Sequence, residues 1–138
     1  MAPHPGSSTG EEQHGAGQLS ASISNAIVHL HREYLGRGPT KARTSIRDDT
    51  IVVVMTDTLT KAEHSLVADG KADEVLSTRH SLQGTMRNDM VAAVERLTGR
   101  TVMAFMSTNH IEPDLACEIL ILEPEPDPPA LAAIGDVA

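Results

Sequence analysis

The stretch TKARTSIRDDTIVVVM, running from Thr40 to Met55, decides how this chain folds. From Thr40 to Arg47 the side chains alternate, with Ala42, Thr44 and Ile46 on one face and Lys41, Arg43, Ser45 and Arg47 on the other, the period of a half-buried strand. Asp48-Asp49 makes a turn. Ile51 to Met55 is apolar on both faces and largely β-branched, which predicts a partner strand that is central in its sheet or covered on both sides.

On the N-terminal side of this hairpin, apolar residues recur at Leu19, Ile23, Ile27, Leu30 and Tyr34, one face of a helix over about 18–35 that ends at Gly36-Arg37-Gly38-Pro39. On its C-terminal side, Thr60-x-x-Glu63 fits a capping box and predicts a short helix to about Val67, broken at Asp69-Gly70. A second helical pattern runs through Val75, Leu76, Arg79, Leu82, Met86, Met90, Val94 and Leu97 to a stop at Gly99, a helix of roughly 27 residues. Thr101–Thr108 and Leu115–Leu122 then form a second hairpin across Asn109–Asp114. The order helix, hairpin, helix, helix, hairpin predicts an α+β fold: one four-stranded antiparallel sheet with the helices packed on one face.

A chain of 138 residues has room for one domain. Residues 18–122 form it, between a Gly-, Pro- and Ser-rich tail at 1–17 and an acidic, proline-rich tail at 123–138, both expected to be disordered. The net charge of −8 is concentrated in these tails, which carry Glu11, Glu12, Glu123, Glu125, Asp127 and Asp136 and no Lys or Arg. Aromatic residues are only 1% of the chain, so stacking platforms for bases have almost no material and nucleic acid is a poor partner. The alternation of Cys117 with Leu115, Ile119 and Ile121 predicts a buried thiol in a reducing cytoplasm. No apolar run approaches the ~20 residues of a membrane span, and the first residues have neither the basic start nor the apolar stretch of a signal peptide.

The residues of catalysis are not assembled in the sequence. His29 and His31 are two apart and diverge on a helix, and the other histidines have no acid or thiol at ligand spacing, so they read as surface histidines rather than a metal site. No nucleophile elbow, phosphate loop or dinucleotide fingerprint occurs, and no catalytic residue or cofactor is assigned. The strongest local signal is cationic. Arg37, Lys41, Arg43 and Arg47 fall within eleven residues that contain no acid, and three of them share one strand face. Such a face suits a small anion or an acidic protein surface; equally, it suits an edge strand that must not pair with its neighbours. The long helix outreaches strands of about seven residues, so the apolar stripe through Met86, Met90, Val94 and Leu97, or through Val75 and Leu76, predicts a homodimer that covers the overhang.

Gly36-Arg37-Gly38-Pro39, then Lys41-Ala42-Arg43, Asp48-Asp49-Thr50-Ile51-Val52-Val53 and Leu59-Thr60-x-x-Glu63 together resemble the bacterial domain family called MpsC-like or YbcI-like, over about residues 18–122. The resemblance implies a small soluble protein associated with a sodium-linked membrane-potential-generating system, whose other members are membrane proteins related to inorganic-carbon uptake. It brings no catalytic residues. The expectation is a cytoplasmic, non-enzymatic accessory or regulatory domain that meets a membrane transport protein or another acidic partner, or binds an anion, through Arg37, Lys41, Arg43 and Arg47. The alternative is a small-anion or nucleotide-binding sensor or enzyme with its site over the same strand.

Overall fold

The computed structural model describes residues 7–125, with side chains from Gly15 onward. Helix α1 spans Ser7–Leu35, followed by strands β1 (Lys41–Arg47) and β2 (Thr50–Thr56), helices α2 (Lys61–Ala68) and α3 (Ala72–Thr98), and strands β3 (Val102–His110) and β4 (Leu115–Leu122). The four strands make one antiparallel sheet in the order β1-β2-β4-β3. The α+β architecture and the hairpin-helices-hairpin order are those expected. β2 and β4 are interior, and β1 and β3 are the edges.

α1 begins at Ser7 rather than near residue 18. Apolar spacing marks only the part of a helix that docks, and the first docked residues are Leu19, Ile23 and Ile27. Residues 15–18 are exposed, so nothing in their pattern announces a helix. Of the two expected tails, residues 1–6 and 126–138 lie outside the described residues.

Three helix ends are explained by their sequence. Gly36 has φ +79° and its N–H reaches Arg32 O at 2.9 Å, closing α1 with a residue that tolerates the left-handed region. Gly99, at φ +68°, closes α3 in the same way through Glu95 O. Thr60 caps α2, its Oγ1 accepting from the Glu63 amide while Glu63 Oε1 accepts from the Thr60 amide.

α1 lies over β1 and α3 over β3, the two helices touch, and α2 packs against α3. Ser24 and Thr44 hydroxyls bond at 2.7 Å between α1 and β1, and Tyr34 Oη donates to Asp89 Oδ2 at 2.5 Å between α1 and α3. The core between helices and sheet is aliphatic: Ile23 and Ile27 from α1, Ile51, Val53 and Met55 from β2, Met86, Met90 and Val94 from α3, and Ala116, Leu120 and Leu122 from β4. The methionine stripe of α3 is therefore covered within one protomer. Val75 is buried too, and only Leu76 of the predicted overhang is exposed, so the helix supplies no apolar stripe for a dimer.

Candidate functional site

Two of the sequence blocks that carried the family resemblance, Gly36–Pro39 and Leu59-Thr60-x-x-Glu63, converge on one short segment, Thr58-Leu59-Thr60, between β2 and α2. Arg37 Nη1 donates to Leu59 O at 2.8 Å. The Asp114 carboxylate, from the β3–β4 turn, accepts from the Thr58 and Leu59 amides at 3.1 and 2.9 Å and from the Thr58 hydroxyl at 3.2 Å. Arg79, 2% exposed on α3, donates to Thr58 O at 2.6 Å and grips both oxygens of Glu63 at 2.7 Å. Burial alone would push the Glu63 carboxyl up. The Arg79 hydrogen bonds and charge, with the Thr60 amide and hydroxyl, outweigh it and hold the group below the usual carboxylate range. A fork-to-fork arginine–glutamate pair joined to a backbone carbonyl and a capping box, with a second arginine on the next carbonyl, is a structural clasp. It ties α1, the β2–α2 segment, α3 and the β3–β4 turn together.

Arg37 thus serves the clasp. Its guanidinium is half-buried and engaged, whereas Lys41, Arg43 and Arg47 are exposed along β1. Among the described residues none of these three makes a hydrogen bond or ion pair. Of the acids that could have drawn Arg43 into a structural role, Asp48, Asp49 and Glu63, two are engaged elsewhere, Asp49 by Arg100 at 2.5 Å and Glu63 by Arg79, and Asp48 makes no bond to Arg43. Of the four predicted site residues, the structure sets three on one face of an edge strand and assigns the fourth to the scaffold.

That face is the one the helices leave open. The helix side of the sheet carries Ala42, Thr44 and Ile46 from β1 with Ile51, Val53 and Met55 from β2. The open side carries Lys41, Arg43, Ser45 and Arg47, then Thr50, Val52, Val54 and Thr56, then Leu115, Cys117, Ile119 and Ile121, and finally Ala104, Met106, Thr108 and His110. Register aligns these in rows: Arg43 with Val54, Cys117 and Thr108, and Ser45 with Val52, Ile119 and Met106. β4 is half-buried on this side and buried on the other. The result is an apolar patch flanked along one edge by cations. A shallow hollow of about 420 Å³ opens in it between Val54, Thr108, Leu115 and Cys117.

The phase of β4 corrects two expectations. Cys117 is on the open face, half-buried, not in the core; burial, and then the charge of the adjacent Glu118, push its thiol above the ordinary range and keep it protonated. The residue turned inward is Glu118, fully buried, with its Oε1 3.6 Å from Nε2 of His31. His31, expected on the surface, is only 2% exposed. Neither side chain has a hydrogen-bonding partner among the described residues. The one sequence sign of this pair is that His31 stands four residues after Ile27, on the docked face of α1. Among the described residues no group of three or more His, Cys, Asp or Glu could hold a metal ion. No described helix is long and apolar enough to cross a membrane.

Comparison with known proteins agrees with the converging blocks. The chain is 32% identical over 92 residues to the uncharacterized protein YbcI of Bacillus subtilis (strain 168), covering 64% of this chain and 73% of that one. No solved structure matches. Residues 15–124, which span the docked helices, the sheet and the clasp, match the family described as "Na+-translocating membrane potential-generating system (MpsC)", and this chain belongs to that family.

Proposed function

We propose that this chain is a non-enzymatic accessory or regulatory domain of a membrane-potential-generating system, working on the cytoplasmic side by contact between the cationic edge of its sheet and an acidic segment of a membrane transport protein. The observation that carries this reading is the exposure of Lys41, Arg43 and Arg47 together, without partners among the described residues. Their fields add on one side of β1, where the sheet offers no acid. A single protonated thiol suits a reducing compartment. Arg43 lies between the other two cations, and its planar fork can engage two oxygens of one carboxylate.

The test is binding of the full chain to the purified membrane proteins of the system at low and high salt. Arg43→Ala should weaken binding about tenfold with an unchanged melting temperature, because an exposed charge adds little to folding. Arg43→Lys should recover part of it, since an ammonium keeps the charge and loses the fork. Lost stability with unaltered binding would return the stripe to edge protection alone. The second reading, a small-anion sensor, predicts instead that bicarbonate or phosphate raises the melting temperature of the wild type and not of Arg43→Ala.

A further inference from the structure

We infer that the open face of the sheet is covered by a second copy of this chain, in a two-fold sheet-on-sheet dimer that lays β1 of each protomer over β3 of the other. The face is apolar where it should be wet. Val52, Val54, Leu115, Cys117, Ile119 and Ile121 come from the two interior strands and point away from the helices, and Met106, half exposed, extends the patch to the β3 edge. A solvated sheet face ordinarily alternates to polar residues. Here the polar residues lie along the β1 edge, at Thr50 and Thr56 of β2 and at Thr108 and His110 of β3, and the middle of the two interior strands is apolar.

The size fits a copy of the same surface. Four strands about 4.8 Å apart, with seven residues at about 3.3 Å each, give a face of roughly 19 by 23 Å. Two such faces bring together roughly 900 Å² of projected area, which side-chain relief enlarges past the ~1,000 Å² that marks a specific interface.

Charge then selects the arrangement. A two-fold axis lying across the strands would set β1 over β1 and drive Lys41, Arg43 and Arg47 against their own copies. An axis parallel to the strands sets β1 over the partner's β3, and β2 over the partner's β4. The cations of one protomer then run beside Ala104, Met106, Thr108 and His110, none of them a lysine or arginine. Their aliphatic stems can lie on the flexible methionine while the heads reach water at the rim. This dimer does not depend on the acidic-partner reading, because it leaves the three cationic heads accessible along both long edges.

Light scattering or sedimentation of the full chain at tens of micromolar should give twice the 14.7 kDa chain mass. Ile119→Asp, a charge placed at the centre of the face and outside the helix-packed core, should raise the dissociation constant by roughly a hundredfold or more and leave the circular dichroism spectrum unchanged. Cys117 gives a second readout that needs no substitution. Its labelling by a thiol reagent should slow as protein concentration rises through the dissociation constant, and Ile119→Asp should abolish that protection. Arg43→Ala should leave the dimer intact. A monomeric wild type, or a dimer in which Cys117 labels at a rate independent of concentration, overturns the proposal.

Discussion

Glu118 is the residue that composition makes least expected where it stands, a carboxyl wholly enclosed on the middle of the sheet with a buried imidazole facing it. A charged group removed from water is costly unless matched, so each member of the pair depends on the other. His31→Leu alone should cost about 3–5 kcal/mol in denaturant unfolding, because it strands the carboxyl among aliphatics. The double variant His31→Leu with Glu118→Leu should recover most of that loss, an apolar pair of similar volume being neutral or better at such sites. A double variant less stable than either single one would show that the pair itself holds the fold together. The sequence could not indicate this pair. Alternation in β4 states that Leu115, Cys117, Ile119 and Ile121 share a face, and Ala116, Glu118, Leu120 and Leu122 the other, but both sets are mainly apolar. A period of two fixes the sets and is silent about which one turns inward. That choice was made by the helices, and it exchanged the places expected for Cys117 and for His31.

Among the elements, β1 and the start of α2 were readable because their information is local. Strand alternation needs only neighbours two apart, and the Thr60–Glu63 capping box needs only three. The clasp was not readable beyond that box. Arg79 entered the helical pattern of α3 as one more inward position, and nothing nearby in sequence shows that it meets Glu63 and Thr58, or that Asp114 receives two amides from across the fold. The clasp also sets an acid limb on stability. Glu63 has its pKa lowered in the folded chain, so its contribution is complete above the ordinary carboxyl value of about 4.3 and is lost as pH falls through the lower folded value. Glu63→Gln leaves Arg79 buried without its counter-charge and should cost about 2–4 kcal/mol at pH 7. The gap between wild type and variant should then narrow as the pH is taken below about 4. A gap constant with pH would mean that the glutamate acts through its cap alone.

The whole molecule has two unlike sides and one loosely seated part. The helix side is closed by the aliphatic core; the open side is apolar at its centre and cationic at one edge, and both proposals concern it. Of that open side, the cationic stripe was legible and its apolar surroundings were not, because the same residues would serve equally well as core. The loosely seated part is α2. None of its residues is buried, and it packs mainly against α3, with His64 Nε2 3.8 Å from Asp114 Oδ2 in the β3–β4 turn. It is therefore held by the Thr60 cap and the Glu63 grip on Arg79 rather than by apolar contact, and segments poor in buried area detach with far less free energy than the global unfolding. In amide hydrogen exchange, Ser65 to Ala68 should exchange orders of magnitude faster than Met86 to Val94 in α3, and Glu63→Gln should quicken the α2 amides further while α3 stays slow. The helix that opens with the family's Leu-Thr-x-x-Glu signature is then also the place where this protein breathes, its protons trading with water while the sheet beneath keeps its own.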